Sequence, residues 1–317
     1  MRVVISGASG LLGSALIPAL QSGGHHVTRL ARGLHSSAAD AVSWDPGRGR
    51  LDPGAVVGAD AVINLSGEII LGRWTPHKRR RIRESRVNTT QLLAETLARL
   101  ETRPQVLICA SAMGIYGDRG EETLTEQSEP GTGFLADLGR DWEAAAAPAE
   151  RVGIRVVSLR TGLVLASRGG VLAPMLLPFR LGLGGPIGNG RAWWSWVTVD
   201  DVVQIILFAL TSDNLHGPVN VVAPQPVRNA EFARTLGRVL GRPALIPVPP
   251  FALRLAFGRE PAQEMMLGSL KVVPARLQAA GYEFRFPELE PALRHVLGVR
   301  SAKFEVRSTK GSSELPP

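Results

Sequence analysis

The chain opens with Met1-Arg-Val-Val-Ile-Ser-Gly-Ala-Ser-Gly-Leu-Leu-Gly13, and this stretch decides the fold. Its β-branched run Val3-Val4-Ile5 predicts a buried strand, and a helical pattern follows from Leu11 to about Ser22. Such a strand-to-helix turn points free N–H groups and the positive end of the helix dipole at one spot. Glycine lets the turn close and lets a phosphate approach the backbone. We therefore predict a pyrophosphate site formed by Gly7, Ser9, Gly10, Leu11, Leu12 and Gly13. The alternative is a purely structural turn.

The composition is that of an ordinary globular protein. Of its residues 44% are hydrophobic and 20% are charged. Its length of 317 residues is enough for two domains or one elaborated α/β domain. Cys109 is the only cysteine, which excludes a disulfide framework and fits a reducing compartment. The first predicted strand begins too near Met1 for a signal peptide, and no apolar run approaches the length of a membrane span. We expect a cytoplasmic protein without a membrane partner.

Much of the basic excess, a net charge of +8, lies in the segment Lys78-Arg79-Arg80-Arg81-Ile82-Arg83. Thr75-Pro76 before it has the pattern of an N-cap followed by a proline at the first helical position. We predict one long helix from there to about Leu100, with most arginines facing solvent. Because no aromatic residues interleave with the charges, a solvated face is favoured over an RNA surface, and nucleic acid is not expected as a partner.

Predicted strands alternate with helices along the first half of the chain, which is typical of a doubly wound parallel sheet. The strands cover residues 26–31, 41–44, 61–65, 106–110 and 155–159, and a helix is predicted over 141–150. Further on we predict a helix over 202–210 capped by an aspartate of the Asp200-Asp201 pair, a strand over 218–223, and a helix over 230–240 capped by Asn229. Helices over 275–280 and 288–296 complete the pattern.

The end of the second predicted strand carries Arg32, where an NAD-binding fold would place an acid that bonds the ribose 2′-hydroxyl. The nearest acid, Asp40, lies well beyond the strand. Because a guanidinium suits a 2′-phosphate, the sequence favours NADP over NAD, with an exposed loop arginine as the alternative. The small residues of Asn64-Leu-Ser-Gly67 would let the phosphate–ribose part of the cofactor cross the end of the fourth strand.

Three motifs in order resemble the extended short-chain dehydrogenases/reductases of the NAD(P)-dependent epimerase/dehydratase type: Gly7 to Gly13, Ser111-Ala-Met-Gly-Ile-Tyr-Gly117 and Trp196-Val-Thr-Val-Asp-Asp201. Other segments, including Leu177 to Gly188 and Ala223 to Asn229, resemble the atypical branch called epimerase family proteins, over about residues 1–298. The resemblance implies an α/β fold with a Rossmann-type doubly wound parallel sheet, bound NADP, and a smaller, mostly helical C-terminal substrate lobe. We place the NADP-binding domain at 1–165, completed by about 195–225, the substrate-binding lobe at 166–299, and a disordered tail at 300–317.

The resemblance also assigns cofactor contacts. Arg32 would meet the 2′-phosphate, Leu65 and Ser66 with Gly67 beside them would line the adenosine side, and Ser111 would lie at the nicotinamide end. Arg86 would reach the cofactor. An equal alternative is a buried Arg86 that holds its helix to the edge of the sheet.

The catalytic pair of that family has no counterpart here. Its tyrosine has a pKa lowered toward neutrality by a lysine four residues later. Neither Tyr116 nor Tyr282 is followed by lysine at that spacing. Alignment back from Glu143 places the expected pair near Leu135 and Gly139. Standard hydride chemistry therefore lacks both its usual acid and its usual electrostatic helper.

Three substitute catalytic residues can be named. The family's assisting serine falls at Ala112, which leaves Ser111 one residue short. Tyr116 ends a central strand and is either a catalytic phenol or a packing residue, and Glu68 is either an acid or a loop carboxylate paired with Arg73. Trp193, Trp194 and Trp196 either stack on a substrate or pack in the core. No histidine has metal-ligand neighbours at the required spacing, so we predict no metal site.

Three functions stay open. We favour an NADP-dependent oxidoreductase or epimerase acting on a small or nucleotide-linked substrate. A catalytically silent NADP(H)-binding sensor or scaffold is the second, and an RNA-associated protein is the third. The substrate is not predicted, and a homodimer stays open.

Overall fold

A computed structural model describes residues 1–33 and 40–299, and the predicted disordered tail therefore lies outside the described residues. The strands are β1 Arg2–Ser6, β2 His26–Arg32, β3 Ala41–Trp44, β4 Ala61–Asn64, β5 Val106–Ala112, β6 Thr123–Leu124, β7 Arg155–Thr161, β8 Leu163–Leu165, β9 Trp193–Trp194, β10 Trp196–Thr198, β11 Gly217–Val221, β12 Val227–Arg228 and β13 Lys271–Val272. The helices are α1 Leu11–Ser22, α2 Pro76–Glu84, α3 Val87–Ala98, α4 Phe134–Ala144, α5 Ala147–Glu150, α6 Leu172–Arg180, α7 Val199–Thr211, α8 Asn229–Leu240, α9 Pro250–Phe257, α10 Arg259–Ala262, α11 Ala275–Ala279 and α12 Leu289–Leu297. Short 3₁₀ turns cover Pro46–Arg48, Pro53–Ala55 and Met113–Tyr116, and a π-helical turn covers Gln263–Leu267.

Seven parallel strands form the central sheet in the order β11-β7-β5-β4-β1-β2-β3. The interior strand β1 pairs on one side with β2 and on the other with β4, with Val3 opposite Val27 and Ala61. The strand order reverses direction between β1 and β4, which is the position where open α/β sheets bind ligands at the carboxyl ends of their strands. The predicted doubly wound parallel sheet is confirmed.

Apolar layers cover both faces of the sheet, which explains why its strands are nearly continuous apolar runs. On one face Leu16 and Leu20 of α1 pack with Val202 and Ile206 of α7. On the other face α3 contributes Leu93 and Leu97 to a second cluster that also contains residues of α5. A third cluster joins α6, α8 and α12 and contains the buried Trp194 and Trp196. Those two tryptophans therefore pack in the core.

Several predicted helices differ from the observed ones. The basic segment does not form one helix, because the chain breaks at Ser85-Arg86 into α2 and α3; the predicted N-cap at Thr75 is confirmed. The predicted helix 141–150 is likewise two helices, α4 and α5. Asn229 is the first residue of α8 rather than its cap, since its side-chain oxygen accepts the N–H of Ile187.

The start of α7 differs because Thr198, not an aspartate, is the N-cap. Its hydroxyl oxygen accepts the N–H of Asp201 at 3.0 Å and its hydroxyl proton goes to the Asp201 carboxylate at 2.9 Å. The fully buried Asp201 carboxylate also accepts the backbone N–H groups of Arg285 and Phe286, at 2.8 and 3.2 Å. Asp201 therefore fastens the chain before α12 to the first turn of α7.

Replacing Asp201 tests this attachment. Asp201→Ala removes the carboxylate that accepts the Arg285 and Phe286 N–H groups and the buried Thr198 hydroxyl, and we expect the free energy of unfolding to fall by about 1–3 kcal/mol in urea titrations. Asp200→Ala is the matched control, because the Asp200 carboxylate is one-third exposed and pairs with the His295 ring at 3.3 Å. The control should change stability by less than about 1 kcal/mol. Equal effects of the two substitutions would contradict the assigned role of Asp201.

Candidate functional site

The turn between β1 and α1 is closed by backbone contacts that only glycine allows. Gly7 has a φ of +73°, and a Cβ at this position would lie 2.5 Å from the backbone of Leu65. A Cβ on Gly13 would lie 2.3 Å from the carbonyl oxygen of Gly7. The Gly10 N–H donates to that same oxygen at 3.0 Å. Because α1 has neither a side-chain cap nor an acid in its first turn, its positive N-terminus is left to an anionic ligand.

A cleft of about 960 Å³ opens in front of this turn, at the carboxyl ends of β1, β2 and β4. Eight predicted site residues line it: Gly7, Ser9, Gly10, Arg32, Leu65, Ser66, Gly67 and Glu68. Sequence reasoning missed a further set of lining residues: Ala8, Arg29, Leu30, Ala31, Ala41, Trp44, Asp45, Pro46, Gly47, Arg81, Glu84, Ser85, Asn88 and Thr89. Most of them come from β3, from the loop after it and from the two helices after β4. These segments lie next to the glycine turn only because of the order of strands in the sheet.

The other predicted cofactor residues do not line this cleft. Leu11, Leu12 and Gly13 form the first turn of α1 behind the glycine turn. Arg86 donates to the carbonyl oxygens of Ile82 at 3.1 Å and Glu68 at 3.0 Å. Its guanidinium also lies over the Trp142 ring, 5.1 Å from the centroid, and burial lowers its pKa to about 10. These contacts support the alternative in which Arg86 holds its helix to the sheet.

The Glu68 carboxylate lies between two cations of α2. Lys78 donates to one oxygen at 2.8 Å and Arg81 to the other at 3.0 Å. The hydrogen bond from Lys78 holds the pKa of Glu68 below its usual value. The expected pairing with Arg73 is wrong, because the Arg73 guanidinium binds the backbone carbonyl oxygens of Leu255 and Ala256. Glu68 therefore faces the cleft as a paired carboxylate, a form that accepts rather than donates a proton.

The rest of the basic segment is also used within the fold. Arg79 pairs with Glu260, and Arg83 pairs with Asp141 at 2.5 Å. Together with Lys78 and Arg81, four of its cations thus have carboxylate partners from other segments. These partners join α2 to α4, to α10 and to the loop after β4. An RNA phosphate would compete with them for the same guanidinium groups.

A chain of buried polar groups crosses the carboxyl ends of β5, β7 and β11. The Ser111 hydroxyl donates to Glu143 at 2.7 Å, and Arg160 donates to both oxygens of that carboxylate at 2.8 Å. Arg160 also donates to the Tyr116 hydroxyl at 2.9 Å, which in turn donates to the side-chain oxygen of Asn220 at 2.7 Å. All hydroxyl protons of this network have acceptors within the protein.

Tyr116 and Ser111 accordingly lie inside the fold and do not line the described cleft. Tyr116 is fully buried, and burial raises the pKa of its phenol, which Arg160 offsets only in part. Ser111 is 4% exposed. The geometry of Tyr116 is that of the packing alternative, because a catalytic phenol needs both access to a ligand and a lowered pKa.

The helix that carries the expected tyrosine and lysine positions packs on the turn Met113–Tyr116. A Cβ on Gly139 would lie 2.8 Å from Cβ of Ile115, and one on Gly114 would lie 3.2 Å from Cβ of Leu135. Glu264 caps this helix, since its carboxylate accepts the N–H groups of Phe134 at 3.0 Å and Leu135 at 2.8 Å. Gly139 therefore packs against Ile115, and Leu135 packs against Gly114 with its N–H bound by the Glu264 carboxylate.

The sheet order, the glycine turn and the cleft define a Rossmann-type α/β protein. The model of the NAD dependent epimerase/dehydratase family matches residues 3–223, and a domain of unknown function, DUF1731, matches residues 248–296. The chain therefore belongs to the NAD dependent epimerase/dehydratase family. It is 41% identical over 295 residues to epimerase family protein ML0860 of Mycobacterium leprae, covering 92% of this chain and 94% of the relative.

Two solved structures resemble the chain at similar identity. Human epimerase family protein SDR39U1 (isoform 2), crystallised with NADPH, has a TM-score of 0.86 and 37% identity, covering 94% of this chain and 99% of the human one. The nucleoside-diphosphate sugar epimerase from Corynebacterium glutamicum has a TM-score of 0.77 and 38% identity, covering 94% of this chain and 58% of that chain. Within the described residues no helix is long and apolar enough to cross a membrane.

The two tyrosines give a direct test of whether Tyr116 is a packing residue or a catalytic phenol. Burial raises the pKa of both Tyr116 and Tyr282, so neither phenol should ionise in the folded protein near pH 10, the usual value. Since the unfolded chain ionises at lower pH than the folded one, stability falls as pH rises above about 10. We expect phenolate absorbance to appear together with alkaline unfolding. Tyr116→Phe and Tyr282→Phe would assign each signal, and a phenolate at neutral pH lost only in Tyr116→Phe would overturn the packing interpretation.

Proposed function

We propose that the protein binds NADP(H) in the cleft at the glycine turn and acts as an NADP-dependent oxidoreductase or epimerase on a small or nucleotide-linked substrate. The observation that carries the proposal is the uncapped N-terminus of α1, held at the switch point of the sheet by Gly7 and Gly13. A pyrophosphate fits such a terminus through backbone N–H groups and the helix dipole. The binding of NADPH by the human relative supports the same cofactor here.

The choice of NADP(H) over NAD(H) rests on the charges around the cleft. Three arginines line it, but Arg29 is paired with Asp40 and Arg81 with Glu68. Among the residues that the structure describes, Arg32 has no ion-pair partner, and its side chain is exposed at the end of β2. A ribose 2′-phosphate would supply the anion that this guanidinium lacks.

The catalytic groups stay candidates. Ser111 and Glu68 are retained, each with its hydrogen bonds already made inside the protein, and Tyr116 is retained only as a structural member of the network around Arg160. Because these candidate groups are already hydrogen-bonded within the protein, the structure also favours a second candidate function, a catalytically silent NADP(H)-binding sensor or scaffold. The cytoplasmic location, the two domain boundaries and a homodimer stay predictions.

Arg32 gives the sharpest test of cofactor choice. Arg32→Ala should weaken NADPH binding by about 10- to 100-fold in calorimetric or fluorescence titrations, because one charge-assisted contact to the 2′-phosphate is lost. NADH binding should change by less than about threefold. Arg48→Ala is the control, since the Arg48 side chain is 73% exposed in the loop next to the cleft. Equal losses of NADPH and NADH affinity in Arg32→Ala would remove the argument for NADP.

Turnover separates the two candidate functions. A reductase should oxidise NADPH with at least one carbonyl compound of a broad panel, and an epimerase with NADP⁺ should invert a carbinol centre of a nucleotide sugar without net cofactor turnover. Glu68→Gln or Ser111→Ala should slow that reaction by about 10²- to 10⁴-fold if either residue moves the proton. Urea unfolding of both variants serves as the control for folding. Tight NADPH binding without turnover across the panel would favour the sensor or scaffold.

A further inference from the structure

Seven large apolar side chains outside the cleft are exposed in two segments of the C-terminal half. Their exposed fractions range from 49% to 79%, and we call them the apolar surface: Leu177, Leu181, Leu183, Leu245, Ile246, Phe251 and Leu255. Scattered single apolar residues are normal on proteins, whereas a continuous group of this size indicates an interaction site.

The two segments run side by side. The Ile246 N–H donates to the Gly184 carbonyl oxygen at 3.2 Å, and the Val248 N–H donates to that of Pro186 at 2.8 Å. Leu177 and Leu181 are four residues apart at the end of α6, and Phe251 and Leu255 are four apart on α9, so each pair shares a helix face. The paired backbones therefore bring the apolar residues at the end of α6 next to those that precede and form α9.

The helix α9 has no buried residue, although six of its eight residues are Phe, Leu or Ala. It is nevertheless fixed in place. Arg73 binds the carbonyl oxygens of Leu255 and Ala256 near its end, and Glu260 of the next helix pairs with Arg79. Polar contacts thus hold an apolar helix at the surface, although none of its residues is buried in the core.

The charges of these segments have one sign. Residues 172–191 and 242–259 contain five arginines, Arg180, Arg191, Arg242, Arg254 and Arg259, and no aspartate or glutamate. Arg180, Arg242 and Arg254 are exposed among the apolar residues. The first acid beyond them, Glu260, is already paired with Arg79. A partner of this surface should therefore be apolar and negatively charged.

We propose that the apolar surface binds reversibly to an anionic lipid bilayer. Apolar side chains would enter the headgroup region while the arginines meet lipid phosphates and carboxylates. A second copy of the chain fits less well, because a two-fold contact would bring the same arginines together. The expectation of no membrane partner rested on the lack of a spanning segment, and surface binding needs none.

Vesicle sedimentation tests the proposal on the full chain. We expect binding to phosphatidylcholine vesicles with about 30% phosphatidylserine, little binding to pure phosphatidylcholine, and loss of binding as salt rises from about 0.1 to 0.5 M. Phe251→Asp with Leu255→Asp should lower the partition coefficient at least about tenfold. Arg180→Gln with Arg254→Gln should lower it about fivefold per arginine.

The control is Val57→Asp, because Val57 is 53% exposed but lies outside the apolar surface. This control should bind vesicles like the unmodified protein, and NADPH titration of each variant reports folding separately. The proposal is overturned if anionic vesicles are not bound, or if Val57→Asp and the Phe251/Leu255 variant bind equally. It is also overturned if the Phe251/Leu255 substitutions instead dissociate a dimer in sedimentation velocity, since a second copy would then cover the surface.

Discussion

The close approach of α1 to the turn at Gly7 is the contact on which the site depends. With 2.3 Å between the Gly7 carbonyl oxygen and a Cβ at position 13, any larger residue there would push the helix away from β1. The same turn meets the end of β4 at Leu65, with no room for a Cβ on Gly7. Helix N-terminus and strand ends are thereby fixed to each other at the switch point. The anion site is thus set by backbone contacts, and side chains such as Arg32 only refine which anion it holds.

The features that sequence predicted correctly are those whose causes lie close together along the chain. Alternating strands and helices predicted the parallel sheet, because the crossover between parallel strands usually contains a helix. The glycine spacing from 7 to 13 predicted the turn, and Thr75-Pro76 predicted the start of α2. Eight of the predicted cofactor and catalytic residues line the cleft because they lie at or shortly after the ends of β1, β2 and β4.

The features that sequence did not predict depend on partners far apart in the chain. The Tyr116 hydroxyl meets Asn220, 104 residues later, and Glu264 caps α4 from a distance of 130 residues. No local pattern marks either pair, so Tyr116 could be read as a free phenol at a strand end. The N-cap of α7 was predicted wrongly for another reason. Thr198, Asp200 and Asp201 are all residue types that favour an N-cap. The Asp201 side chain is instead held by the chain before α12, which leaves Thr198 as the cap.

The distribution of arginine follows the same rule. The densest basic run, on α2, is largely neutralised, because acids from the loop after β4, from α4 and from α10 converge on it. The arginines of residues 172–191 and 242–259 are spread thinly and gave no sequence signal, yet no acid within those segments offsets them. A charged run in the sequence therefore does not locate the charge that is free to act. Among the described residues, that charge lies where the fold leaves an arginine without a carboxylate partner, which here means Arg32 at the end of β2 and the arginines of the apolar surface around α9.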